Sequence, residues 1–328
     1  MERLMNVGIV GCGLIGRKRA RALGDGKLVV CSDAVFERAQ ALAAEHGAQA
    51  IPDWREMVRR PEVHMVVVAT THDWLAPVTL AAVEAGKHVL VEKPAARRAG
   101  ELQAVVEAAR ARQVLVRVGF NHRYHPALRK AHEMFMAGAV GPLMYLRARY
   151  GHGGRVGYDK EWRARPEVSG GGELIDQGMH LIDLARWFAG EFVAVDGLAG
   201  RWFWDMPVED NAFLLLRTAE KKVAFMHCSC TEWKNLFSFE VFGRDGKLEV
   251  QGLGGSYGVE RLTHYRMLPE MGPPDTVSWD YPRGDDSWAA ELAEFYQDVA
   301  LGRQPTPGLE DAMAALRVVE RIYEVSHS

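Results

Sequence analysis

Cysteine is scarce in this chain, four residues in 328, and none of Cys12, Cys31, Cys228 and Cys230 forms a C-x-x-C pair. A disulfide framework is therefore excluded as the source of stability, and a reducing compartment fits. Nor does charge of one sign dominate: 40 basic residues face 43 acidic ones, for a formal charge of -3. No field of that size gathers nucleic acid or an anionic membrane, so neither partner is expected. No stretch approaches the roughly 18 apolar residues of a membrane span. The sequence opens without a basic n-region, an apolar h-region or a cleavage site, which makes the cytoplasm the expected location. Internal repeats and low-complexity tracts are also lacking.

What is present is a globular composition, 48% hydrophobic and 25% charged, able to bury a sizeable core. The length exceeds the roughly 250–300 residues at which single cores stop growing, so two domains are expected, 1–122 and 123–328. In the first, short β-rich apolar runs at Met5–Val10, Lys27–Ser32, His64–Ala69, His88–Val91 and Val114–Val118 alternate with helix-period segments at Ile15–Leu23, Phe36–His46, Leu75–Ala85 and Gly100–Arg112. That alternation predicts a doubly wound parallel sheet.

Beyond it, helices near Pro126–Gly138 and Gly172–Phe188 precede consecutive strand-like runs at Phe192–Trp204, Asn211–Thr218, Val223–Glu232, Phe237–Gly243 and Lys247–Gln251, the last two joined by turn residues Gly243, Asp245 and Gly246. This predicts an antiparallel α+β domain. Leu253–Tyr281, rich in Gly and Pro, reads as strands joined by loops, and helices over Ser287–Leu301 and Leu309–Val325 close the chain.

Gly11-Cys12-Gly13-Leu14-Ile15-Gly16 places G-x-G-x-x-G where the first strand meets the first helix. Gly11 permits the turn, Gly13 lets a pyrophosphate approach the backbone, and Gly16 lets the helix pack on the sheet, whose N-terminal N–H groups then face the diphosphate. Asp33 ends the second strand about 20 residues on, where a carboxylate accepts from both ribose hydroxyls and repels a 2′-phosphate. NAD is thus favoured over NADP. Arg38, one helical turn further, keeps the second cofactor open by its reach toward a phosphate or the adenine. Thr70 and His72, after the third strand, are further candidate cofactor contacts.

At the end of the fourth strand stands Glu92-Lys93-Pro94. Strand carboxyl ends form the ligand crevice of such sheets, so Lys93 is expected beside the nicotinamide, stabilising negative charge on a substrate oxygen. In the second domain, Gly170-Gly171-Gly172-Glu173-Leu174-Ile175-Asp176-Gln177-Gly178-Met179-His180 sets Asp176 and His180 four residues apart on one helical face. Such a pair serves as an oriented general base. Asp183, one turn on, reads as a cap or ion-pair partner. A metal on Asp176 and His180 is not expected, because no third ligand falls at a recognised spacing.

With these motifs and the run Gly119-Phe120-Asn121-His122-Arg123-Tyr124, the chain resembles the Gfo/Idh/MocA family of sugar and cyclitol oxidoreductases over essentially its whole length. The resemblance implies a Rossmann domain, an α+β C-terminal domain with a large, mostly antiparallel open-faced sheet used in oligomer contacts (a homodimer or homotetramer), and catalysis by Lys93, Asp176 and His180. The chain departs from many members at Thr70-Thr71-His72-Asp73-Trp74, where they carry an asparagine.

Residues 150–165 are rich in aromatic and cationic groups, which suits sugar stacking and phosphate binding. Arg123, Tyr158, Trp162 and Arg163 are the candidate substrate contacts. Converging arginines would favour a nucleotide-linked or modified sugar; a simple aldose or inositol would need fewer cations. The expected activity is hydride transfer between a sugar carbinol carbon and NAD. The rival from another class is a non-catalytic NAD-binding sensor, which would have no use for a proton-transfer pair.

Overall fold

In a parallel sheet covered on both faces, central strands must be apolar throughout rather than alternating. Of strands β1 (Met5–Val10), β2 (Gly26–Ser32), β3 (Gln49–Ala50), β4 (Met65–Val68), β5 (His88–Glu92) and β6 (Val116–Gly119), β4 meets that demand fully; β6 is buried throughout but carries Arg117, β1 is buried beyond its first two residues and β5 beyond its first, while β2 leaves Lys27 and the edge strand β3 leaves Gln49 exposed. The computed structural model describes residues 5–282 and 284–326. In it these strands form one sheet, ordered β3-β2-β1-β4-β5-β6, with every neighbour parallel. Helices over Leu14–Arg21, Phe36–His46, Trp54–Arg59, His72–Glu84 and Gln103–Arg112 connect them.

The compact unit built on this sheet comprises the chain up to Phe120, Glu167–Gly170 and the returning segment Trp288–Leu316. Leu292 and Phe295, on the Ser287–Leu301 helix, are completely buried in one cluster with Val7, Ile9, Leu28 and Leu90. Each such side chain contributes about 1.5–3 kcal/mol of burial. The same helix carries acids inward. Glu291 Oε2 accepts from the buried guanidinium of Arg19 at 2.6 Å, and Glu92 Oε1 accepts from Arg19 Nε at 2.5 Å. Asp298 pairs with Arg117, which also lies 3.3 Å from Glu294.

The second unit holds β7 (Leu143–Gly151), β8 (Phe192–Gly200), β9 (Asn211–Thr218), β10 (Val223–Ser229), β11 (Leu236–Gly243), β12 (Gly246–Gln251), β13 (Glu260–Arg266) and β14 (Asp275–Tyr281), in one sheet ordered β14-β13-β12-β11-β7-β10-β9-β8. Every pairing is antiparallel except β7 with β10. Helices Pro126–Met136 and Met179–Ala189 pack on one face. The other leaves Phe213, Leu215 and Phe225 exposed. No helix among the described residues is long and apolar enough to cross a membrane.

Two expected strands end early for a visible reason. The run from Phe192 stops at Gly200 because the Asp210 carboxylate accepts from the backbone N–H groups of Trp202, Phe203 and Trp204, curling the chain away from its ladder. The run from Val223 stops at Ser229, where the Ser229 hydroxyl accepts from the N–H of Thr231. The helix expected over Gly172–Phe188 starts as a π turn, Leu174–Gly178, and continues as an α-helix over Met179–Ala189. β7 occupies a stretch for which no element was anticipated.

Candidate active site

In the first unit the glycine loop has the shape a diphosphate needs. Gly11 sits at φ +93°, and a Cβ there would lie 2.3 Å from the Ala69 carbonyl oxygen. A Cβ on Gly16 would lie 1.9 Å from the Gly11 carbonyl oxygen, so helix and loop touch backbone to backbone. Gly13 differs: nothing stands within 4 Å of its Cβ position, leaving room at the helix N-terminus where Leu14 and Ile15 begin. Asp33 braces the loop, accepting from the Cys12 N–H at 2.6 Å and the Val35 N–H at 2.8 Å, one bond per oxygen. Both oxygens keep acceptor capacity for ribose hydroxyls. An open cradle with an acid at its rim fits NAD.

Around it, Arg38 is exposed, Lys93 is half-buried after the strand end, and Glu92 is held by Arg19. Thr70 donates its hydroxyl to the Thr71 carbonyl at 3.1 Å, and the buried His72 has Nδ1 2.8 Å from the Ser169 carbonyl oxygen. That contact ties the His72 ring to the Glu167–Gly170 segment.

In the second unit, triple glycine lets other chain segments close on the helix start. A Cβ on Gly172 would meet the Glu209 carbonyl oxygen at 2.0 Å, and one on Gly171 the Tyr323 hydroxyl at 1.9 Å. The buried Glu209 carboxylate accepts from the N–H groups of Gly172 (2.9 Å) and Leu174 (3.0 Å) and from the Tyr323 hydroxyl (2.8 Å), so it takes the place of a side-chain cap. Burial raises its pKa, and these bonds only partly offset that.

The π turn then presents Asp176, and His180 follows one turn on; both are buried. Asp176 Oδ2 accepts from Arg163 Nε at 2.8 Å, and this carboxylate holds the guanidinium above its ordinary pKa. Arg163 in turn lies over the Trp162 ring, 4.5 Å from its centroid. The ring of His180 lies flat against His122, centroids 3.7 Å apart and planes 21° from parallel. Of the other candidate substrate contacts, Arg123 is buried and bidentate to Asp183, at 2.8 and 2.6 Å. Tyr158 is buried, its hydroxyl donating to Glu173 at 3.2 Å.

Sequence reasoning passed over His122, His152 and Glu173. His152 Nε2 lies 3.3 Å from Glu173 Oε1; burial alone would lower the imidazole pKa, but the Glu173 carboxylate outweighs it and raises it. Glu173 was visible only as the residue after three glycines, and His122 as one letter beside Arg123. Their partners lie far away in sequence, so no local spacing marks them.

Comparison with known proteins covers both units. Residues 5–120 match the model of an oxidoreductase family with an NAD-binding Rossmann fold, and residues 128–249 match the GFO/IDH/MocA C-terminal domain. The chain is 27% identical to levoglucosan dehydrogenase of Pseudarthrobacter phenanthrenivorans, over 98% of this chain and 95% of that protein. It is 30% identical to an inositol 2-dehydrogenase of Acidothermus cellulolyticus, over 96% of this chain and 90% of that one. Among solved structures, levoglucosan dehydrogenase in complex with NADH and levoglucosan superposes with a TM-score of 0.90 at 25% identity, covering 98% of this chain and 97% of that chain.

Proposed function

The chain belongs to the Gfo/Idh/MocA oxidoreductase family, and from that premise we propose that it is an NAD-dependent dehydrogenase of an uncharged sugar or cyclitol. Held by the Gly11–Gly16 loop with Asp33 at its rim, NAD would supply the hydride acceptor for the carbinol carbon. His180 takes the hydroxyl proton as the carbon–oxygen double bond forms, and returns it in the reverse reaction. Lys93 donates a hydrogen bond to that oxygen and stabilises the negative charge it gains. Asp176, one helical turn from His180, is the carboxylate that would orient the imidazole.

The observation that carries the choice of an uncharged ring is the pairing of the arginines. Arg123 is bound to Asp183, Arg163 to Asp176, and Arg155 to Glu161 at 2.7 and 2.6 Å. A guanidinium already matched by a carboxylate is a poor diphosphate ligand, since phosphate would have to break a charge-assisted bond first. The substrates for which the relatives are named, levoglucosan and inositol, support the same class. Steady-state assays with NAD on levoglucosan, inositols, free aldoses and nucleotide-linked sugars test the reading. Turnover is expected on the neutral polyols; activity confined to nucleotide-linked sugars would refute it.

A further inference from the structure

We propose that Glu209 is a positioning residue for the sugar-oxidising site: it fixes the start of the π turn and so sets where Asp176 stands. The inference rests on the roles given to Asp176 and His180 above. Glu209 takes the N–H groups of three successive residues at that start. Its Oε2 accepts from Gly172 at 2.9 Å, its backbone carbonyl from Glu173 at 3.2 Å, and its Oε1 from Leu174 at 3.0 Å. Such N–H groups find no partner inside a helix, and a capping side chain ordinarily satisfies one of them. Here one residue, distant in sequence, takes three. Asp176 is the next link, because its own N–H donates to the Gly172 carbonyl at 3.1 Å. The residue that Glu209 grips is thus the one that anchors Asp176.

The contact leaves little room to shift. A Cβ on Gly172 would stand 2.0 Å from the Glu209 carbonyl oxygen, so only glycine lets the two backbones meet. At the other end of the turn, a Cβ on Gly178 would stand 3.0 Å from Cys228 Sγ. Cys228 lies opposite Ala212 in the β9–β10 ladder, and Glu209 stands just before β9. Both ends of Leu174–Gly178 are therefore seated on one strand pair, with Asp176 between them. A π turn is rare because α-helical spacing is preferred, so it persists where neighbouring backbone holds it.

The acid is bound to the turn as firmly as the turn is to the acid. A buried carboxyl needs donors in place of water, and the turn needs acceptors for its N–H groups. The same bonds meet both needs, with the Tyr323 hydroxyl donating to Oε1 at 2.8 Å besides. Displacing the turn would leave acid and amides unmet together.

The test is Glu209→Gln, which keeps the shape but offers one acceptor oxygen where two are used, and turns an NH2 toward an N–H. The single-turnover rate of NADH formation, on the neutral polyol the wild type oxidises, is expected to fall about tenfold to hundredfold. Sugar KM and NADH affinity, measured well below the melting temperature, should not change. Glu209→Asp keeps the charge but shortens the reach by a methylene; it is expected to behave alike, and it decides the matter if the glutamine variant does not fold. Asp210→Asn is the control for plain destabilisation, since that carboxylate also accepts backbone N–H groups, but from Trp202, Phe203 and Trp204 rather than from the turn. It should lower the melting temperature and leave the rate in place. Glu209 variants that keep the full rate and lose only stability overturn the inference, as does an equal loss of rate in Asp210→Asn. His180→Ala separates the two failures: a normal rate there fells the reading of the site, whereas a crystal structure of Glu209→Gln tests the anchoring without turnover. Asp176 is expected to be displaced there, and an unmoved Asp176 overturns the inference.

Discussion

The Nε of Arg163 donates to the carboxylate of Asp176 at 2.8 Å, so the residue singled out as a substrate contact is engaged by the acid proposed to orient His180. Arg163 therefore tunes Asp176 rather than presenting a bare cation. Arg163→Gln removes this charge-assisted hydrogen bond from the carboxylate. The expected result is a fall in kcat/KM of about tenfold to hundredfold, roughly the 1.5–3 kcal/mol of a charge-assisted hydrogen bond, with NADH binding unaltered in fluorescence titration.

Replacing the proposed proton-transfer residues should cost more. Lys93→Ala and His180→Ala are each expected to lower kcat by about 10²–10⁴-fold while the cofactor still binds. Stopped-flow single turnover with NAD and whichever neutral polyol the wild type oxidises checks this, and near-normal chemistry in both variants would remove the assignment.

The glycine loop offers a prediction that separates folding from binding. Gly13→Val places its side chain where the protein has no atom within 4 Å, so stability should change by no more than about 0.5 kcal/mol. NADH binding should nevertheless be lost, because that space is the one a diphosphate needs. Gly16→Ala, whose Cβ would lie 1.9 Å from the Gly11 carbonyl oxygen, should instead cost about 1–3 kcal/mol of stability. Thermal melts beside NADH titrations distinguish the two. Asp33→Ala should keep the fold and narrow the preference for NAD over NADP.

Glu291 makes stability depend on pH. Complete burial, opposed only in part by Arg19, raises its pKa from 4.5 to about 7. A carboxyl with a raised folded-state pKa binds its proton more tightly in the folded state. Its contribution is thus fully present below about pH 4.5 and is lost as pH rises through about 7. The loss is on the order of 3 kcal/mol. Glu291→Gln keeps the Arg19–Glu92 pair and removes the buried charge. Its melting temperature should match the wild type near pH 5 and exceed it near pH 8; a lower value at pH 8 would contradict this account.

Much of the first unit was legible because its rules are local. Strand Met5–Val10 and helix Phe36–His46 stand where apolar runs and 3.6-residue periodicity put them. β7 was not legible in that way. Its buried face is set by Leu146, Ala148 and Tyr150, but Arg147 and Arg149 alternate with them and break the apolar run. Arg147 is tolerated there because it pairs across the sheet with Glu240 on β11, a partner the local sequence does not show. The Gly11–Asp33 site could be read from spacing, since both ends belong to one βαβ unit. Asp176 and His180 were found by helical spacing, whereas their contacts with Arg163 and His122 are tertiary and left no periodic trace. Nor does the pattern of Ser287–Leu301 tell which core its Leu292 and Phe295 enter.

The single parallel pairing in the larger sheet also bears on how such a protein can change its diet. Because β7 runs with β10, and β8 and β10 both run against β9, the chain leaving β7 must travel back over the sheet before starting β8 in the same direction. β7 and β8 run parallel with β10 and β9 between them, so no tight turn can join them, and the long connection carries His152, Tyr158, Arg163, Asp176 and His180. The residues proposed to react thus ride on a connection that forms no rung of the sheet, so a change of its length need not alter the register of any strand.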